Sequence, residues 1–168
     1  MVREVRLLGD PVLRRKAKPV AELDSGVRAL INDLFDTMYK EEGVGLAAPQ
    51  VGISERVIVI DPHDPELQPL ALVNPRIVQH GEELDRGEEG CLSLPGLKDI
   101  VERPATVVVE GLGRDGQPLH IEASGLLARI LQHEIDHLDG ILFVDRVSPL
   151  KRKLLLKKWQ KVKPTTPA

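Results

Sequence analysis

The chain has 168 residues, a formal net charge of −3 and one cysteine. That length suits one domain with a sizeable core, and the mildly acidic balance argues against general nucleic-acid binding by the whole body. One cysteine excludes an internal disulfide, and no apolar run approaches the ~18 residues of a membrane span.

Phe35, Tyr39, Phe143 and Trp159 are all the aromatics, so the core must be mainly Val, Ile and Leu. No secretory signal precedes residues 2–6, and the start lacks the length and Ser content of a transit peptide. A reducing cytoplasm is therefore the expected compartment, which leaves the thiol free to act as a ligand.

Residues 1–20 read as irregular, with a short apolar start (Val5, Leu7, Leu8) and a turn at Gly9-Asp10-Pro11. Asp24 or Ser25 opens a helix, because Val27, Leu30, Ile31, Leu34, Phe35 and Met38 recur at three and four. The next stretch, Gly43-Val44-Gly45-Leu46-Ala47-Ala48, satisfies the loose G-x-G-x-x-A dinucleotide pattern. That pattern needs a strand before it and a helix after it. Here a helix precedes and Pro49 follows, which leaves an extended Gly-rich loop able to approach a ligand closely. It ends at Gln50, whose carboxamide can donate to an oxyanion.

Residues 57–61 (VIVID) read as a buried strand. Residues 70–73 and 76–79 read as strand interrupted at Asn74-Pro75, and residues 82–89 as a solvated acidic turn leading into Gly90-Cys91-Leu92-Ser93. Residues 105–110 (ATVVVE) form the clearest strand, followed by a hairpin turn at 113–116 and a return strand at 119–122. No helical pattern separates these strands. They predict an α+β fold: antiparallel β-sheets packed around a central helix, with an N-terminal helix and a C-terminal helix.

The central helix spans residues 126–140, LLARILQHEIDHLDG, with Ser124 as N-cap and Gly140 as stop. Leu127, Leu131, Ile135 and Leu138 make one apolar stripe, and Leu126, Ile130, His133 and His137 make a second. His133-Glu134-Ile135-Asp136-His137 is an H-E-x-x-H pattern. Two imidazoles four residues apart share a helix face and can grip one divalent ion, while Glu134 can handle protons on a water held there. The third ligand is open between Asp145, an oxygen donor, and Cys91, the stronger candidate; no Glu follows Glu134. Residues 141–144 read as a short extended piece. Ser148 and Pro149 open a last helix over 150–162, and the Pro-Thr-Thr-Pro tail reads as disordered.

Three motifs stand together: GVGLAAPQ (43–50), EGCLS (89–93) and QHEIDHLDG (132–140). In this order and at these separations they resemble the peptide deformylase family of the bacterial type, over roughly Asp10 to Val147. The resemblance implies that Cys91, His133 and His137 bind the catalytic metal, with a water or hydroxide in the fourth position. It implies Glu134 as general acid/base, Gln50 and the Leu92 N–H as donors to the formyl oxygen, and Gly45 as a backbone contact near the formyl amide. The implied reaction is metal-dependent hydrolysis of the N-formyl group from the initiator formyl-methionine of nascent polypeptides, releasing formate. Val44, Gly90, Leu126 and Ile130 are expected to wall the methionine pocket. Ligand softness suits zinc, whereas the resemblance implies Fe²⁺, with Zn²⁺, Ni²⁺ or Co²⁺ able to substitute.

Residues 1–147 are expected as a single catalytic domain and residues 148–168 as a basic helix and short tail. That tail carries seven Lys/Arg and no acidic residue. Leu150, Leu154, Leu155 and Trp159 are expected to dock one face of its helix, and the basic face offers a ribosome contact. The protein is expected to act as a monomer. His63, His80 and His120 are expected as surface residues, and Arg103 as a partner of Glu88 or Glu89. Three other readings compete: a thiol hydrolase with Cys91 as nucleophile, a peptidase using Asp145 as ligand, and a non-catalytic binding module.

Overall fold

The structure is a computed structural model that describes residues 1–164; the expectation of a disordered tail concerns residues 165–168, which lie outside the described part. Three α-helices pack on two antiparallel sheets. Helix α1 spans Ser25–Lys40 and is capped by Asp24, whose side chain accepts from the Val27 N–H. Strands β1 (Gly45–Ala47), β2 (Val57–Ile60), β3 (Leu70–His80), β6 (Thr106–Leu112) and β7 (Pro118–Ser124) form a five-stranded sheet in that order. Strands β4 (Leu84–Gly90) and β5 (Lys98–Pro104) form a separate two-stranded ribbon. Helix α2, Gly125–Leu138, carries the H-E-x-x-H pattern and packs on the large sheet and on β5. Helix α3 spans Pro149–Val162, with the Ser148 side chain accepting from the Lys151 N–H.

Aliphatic residues build the core, as the scarcity of aromatics requires. Ile58, Ile60, Leu72 and Val109 of the sheet meet Leu131, Ile135 and Leu138 of α2, while Leu30, Ile31 and Leu34 of α1 pack on the other face of the sheet. A third cluster, with Leu94, Leu97, Phe143 and Val144, buries Leu155 and Trp159 of α3. Leu150 and Leu154, expected to dock with them, are exposed. The helix turns them away because only the 155/159 side meets the body.

Several local expectations are corrected. Residues 82–89 are solvated for the most part, but they are not a turn: β4 begins at Leu84, and Glu89 is buried. Strand β5 went unassigned because its inward residues are Val101 and the charged Arg103, which hides the apolar alternation. Strand β3 is continuous, since a register shift between Val73 and Arg76 absorbs Asn74-Pro75. Asn74 adopts a positive φ of 52°, and its carboxamide holds the Val20 N–H and C=O at 2.8 and 2.9 Å. The extended loop at 43–50 resolves into β1 and a 3₁₀ helix, Ala48–Val51, which accepts Pro49 in its first turn. A 3₁₀ helix at Phe143–Asp145 replaces the extended piece, and another, Pro11–Arg14, orders the N-terminal stretch. Ser124 does stand at the N-cap of α2, as expected, but its side chain makes no capping bond.

Gly140 ends the α2 region with φ 75°, and a Cβ there would lie 2.6 Å from the Arg14 carbonyl oxygen. Gly140→Ala is therefore expected to destabilise the fold by ~2 kcal/mol or more, through strain plus displacement of that backbone. Denaturant unfolding of the variant beside the parent checks this.

Candidate active site

Helix α2 places His133 and His137 one turn apart, facing the loop that follows β4. Cys91 lies in that loop. Its Sγ is 3.4 Å from His137 Nε2, which is 3.3 Å from His133 Nε2. Among the described residues these three form the group able to hold a metal ion, their ligand atoms all within 4.8 Å of one another. Asp145 does not join them: it pairs with Arg14 and Arg152 and accepts from the Leu142 N–H. The donor set fits a metal on chemical grounds. One thiol sulfur and two imidazole nitrogens converge, and their lone pairs repel unless a proton or cation lies among them. The His133 Nδ1 side faces Glu89 Oε1 at 2.9 Å, which orients the ring and leaves Nε2 for the cluster. Burial, with the neighbouring His133, pushes His137 well below the usual imidazole range, whereas at His133 burial is outweighed by hydrogen bonds to Cys91 and Glu89, which hold it above that range.

Glu134 sits beside this triangle, buried, with Oε1 unpartnered among the described residues. Burial raises its carboxyl to about 7. Strand β1 presses against it: a Cβ on Gly45 would lie 2.6 Å from Glu134 Oε2, so only glycine permits this approach. Gln50 is 1 % exposed. Its Oε1 accepts from the Ala47 N–H at 3.0 Å, which turns its NH₂ towards Ser93 Oγ at 3.2 Å and Cys91 Sγ at 3.5 Å.

A cavity of about 380 Å³ opens onto these groups. Val44, Gly45, Gln50, Gly90, Cys91, Leu92, Leu126, Ile130, His133 and Glu134 line it; His137 lies behind them, 1 % exposed. Ile130 is buried in the wall, whereas Leu126 and Val44 stand at the open rim. The structure thus brings every expected site residue to one place. His63 and His120 are exposed and bonded elsewhere, to the Gly43 carbonyl and Glu110, and His80 is exposed.

The polypeptide deformylase family model matches residues 2–153. The chain belongs to this family. A peptide deformylase of a Picosynechococcus species is 52% identical over 146 residues, covering 86% of this chain and 78% of that relative. The crystal structure of a peptide deformylase from Legionella pneumophila superposes with a TM-score of 0.90 at 50% identity, covering 97% of this chain and 96% of the other. One from Synechococcus elongatus, solved in complex with actinonin, gives 0.88 at 45% identity, with 97% and 92% covered. The chain is an enzyme of this class, which removes N-formyl groups.

The deformylase site rests on a buried charge network that sequence patterns revealed only in part. Glu89 Oε2 accepts from Arg103 Nε and from an Arg129 terminal nitrogen, both at 2.6 Å; Oε1 accepts from Arg103 at 2.9 Å and faces His133. Four donors match its four lone-pair positions. Burial opposes ionisation of Glu89, but the hydrogen bonds from His133 and Arg103 prevail and lower its carboxyl to about 2. Arg103 also bonds Asp136, which in turn holds Arg146. Of its two expected partners, Arg103 takes Glu89, while Glu88 lies 4.0 Å from Lys98. Arg129 and Asp136 were missed. Their signal was spacing: they stand four before and three after His133, so charged residues share its side of a helix that must be buried.

Arg103→Ala is expected to cost about 3–5 kcal/mol, because Glu89 and Asp136 lose a buried partner. Paired thermal and denaturant unfolding of the variant measures the loss.

Proposed function

We propose that the chain removes the N-formyl group from the initiator formyl-methionine of nascent polypeptides and releases formate. The observation that supports this most is the convergence of the Cys91, His133 and His137 ligand atoms beside a cavity that also holds a buried carboxyl. These three residues would hold one divalent ion per chain. Fe²⁺ is the proposed ion, with Zn²⁺, Ni²⁺ or Co²⁺ as substitutes. Such an ion supplies Lewis acidity and brings the pKa of water towards ~7.

The chain's own groups do the rest. Glu134 takes a proton from the attacking water and returns it to the leaving amine; a carboxyl at about 7 suits transfer in both directions. Gln50 Nε2–H and the Leu92 N–H donate to the formyl oxygen as it gains negative charge, each worth on the order of 3 kcal/mol when prealigned. Gly45 lets the peptide backbone approach Glu134. Val44, Gly90, Leu126 and Ile130 form the apolar wall for the methionine side chain, and the peptide continues along the cavity as an extended strand. A formyl carbon carries only hydrogen, so the crowded floor admits it and excludes larger acyl groups.

In this proposal residues 1–147 carry catalysis and residues 148–168 form a docking element. Leu155 and Trp159 fasten α3, while Lys153, Lys157, Lys158 and Lys161 stay exposed and free of acidic neighbours along the helix. That basic face suits contact with the ribosome, where nascent chains emerge. No helix among the described residues is long and apolar enough to cross a membrane. A monomer in the bacterial cytoplasm is the proposed setting.

Anaerobic assay of a formyl-Met tripeptide beside its acetyl-Met analogue tests the reaction. Formate release from the formyl peptide alone, lost on chelation and restored by Fe²⁺, is expected. Glu134→Gln should lower kcat by about 10²–10⁴-fold. Turnover that persists in metal-free protein would instead place the chemistry on Cys91. For the helix, a triple variant with Lys153→Glu, Lys157→Glu and Lys161→Glu should keep its activity on the tripeptide and pellet less with ribosomes; unchanged pelleting would remove the docking role.

A further inference from the structure

Ser93 follows the Cys91-Leu92 pair, is fully buried, and has no part in the steps above. Its hydroxyl accepts from Gln50 Nε2 at 3.2 Å. The other end of the same carboxamide is fixed as well, since Oε1 accepts from the Ala47 N–H at 3.0 Å. A flipped amide would set donor against donor at Ala47, so one orientation survives. An amide NH₂ holds two N–H donors in a rigid fork. Ser93 takes one of them. The second is left on the side of Cys91, whose Sγ is 3.5 Å from the nitrogen.

The backbones of the same two residues are joined through a third segment. The Arg6 N–H donates to the Gln50 carbonyl at 2.6 Å, and the Leu8 N–H to the Ser93 carbonyl at 2.9 Å. Residues two apart in an extended stretch aim their N–H groups to the same side. Side-chain and backbone bonds therefore close a ring through residues 6–8, Gln50 and Ser93, with the carboxamide as its innermost member.

We propose that Ser93 is a positioning residue for deformylation: its hydroxyl aims the Gln50 carboxamide at the formyl oxygen. The inference rests on the oxyanion role given to Gln50 above. A donor to a developing oxyanion is effective when it is already aligned and has nothing to reorganise. Without the Ser93 hydroxyl the carboxamide keeps only its Ala47 anchor. Its NH₂ can then swing, and part of the alignment is lost while the peptide-binding cavity stays intact.

A double-mutant cycle on the Zn²⁺-loaded enzyme, with Ser93→Ala, Gln50→Leu and the pair, tests this on a formyl-Met tripeptide. Ser93→Ala should lower kcat by about 3-fold to 10-fold, the loss of roughly one hydrogen bond, with KM unchanged. In the Gln50→Leu background it should cost nothing further. Side-chain amide NMR signals of Gln50 should shift or broaden in Ser93→Ala while Tm stays near the parent value. Ser93→Cys keeps the volume and weakens the acceptor, so it should show a smaller loss and serves if Ser93→Ala does not fold. Equal losses from the Ser93 change in both backgrounds, or an unmoved Gln50 signal, would overturn the positioning role alone. Full kcat in Gln50→Leu would overturn the oxyanion role of Gln50, and this inference with it.

Discussion

A single buried carboxylate, Glu89, joins the parts of the molecule that must be held together. It lies at the end of β4, takes Arg103 from β5 and Arg129 from α2, and faces the Nδ1 edge of His133. Desolvation offsets much of the Coulombic gain of such a pair, so its worth lies in geometry more than in net stability. The ribbon, the helix and the imidazole ring can move relative to one another only by breaking charge-assisted bonds in a water-poor interior. Through Asp136 the same network reaches Arg146, which connects it to the segment leading into α3.

Around that anchor the site is assembled by close approach. Strand β1 comes so near to α2 that Gly45 has no room for a Cβ beside Glu134. The contact desolvates the carboxyl and raises it to about 7, the same burial that leaves its Oε1 unpartnered among the described residues. Apolar packing supplies the force that holds the approach: Ala47 on β1, Ile58 and Ile60 on β2, and Ile130, Leu131 and Ile135 on α2 belong to one buried cluster. Stability and chemistry are thus linked, because the residues that build the core also set the dielectric around the proton-transfer group.

Much of the architecture was legible in the sequence, and the reasons are local. Helices α1 and α2 declare themselves through 3.6-residue apolar periodicity and their flanking residues. Strands β2 and β6 are Val/Ile-rich, and the turn at 113–116 has hairpin chemistry. The β4–β5 ribbon was not legible. It buries Glu89 and Arg103 where an ordinary strand buries aliphatics, and a polar residue facing inward looks the same in a sequence as one facing water. Residues 141–144 failed for a related reason, since a short apolar run fits a 3₁₀ turn as well as a strand.

The sequence by itself determined the chemistry available to this protein: two imidazoles one helical turn apart, a carboxyl beside the first, one thiol, and a glycine-rich stretch ending in a carboxamide. Spacing along one helix is a local property, so the pairing of His133 and His137 can be read without any tertiary contact. Tertiary structure alone decided that Cys91, more than forty residues upstream, meets them within hydrogen-bonding range of His137. It also decided that Arg103 belongs to Glu89 and that the Gln50 NH₂ turns towards Cys91 and Ser93. These pairings depend on strand register and on which carboxylates lose water, and both arise only when the sheets close around α2.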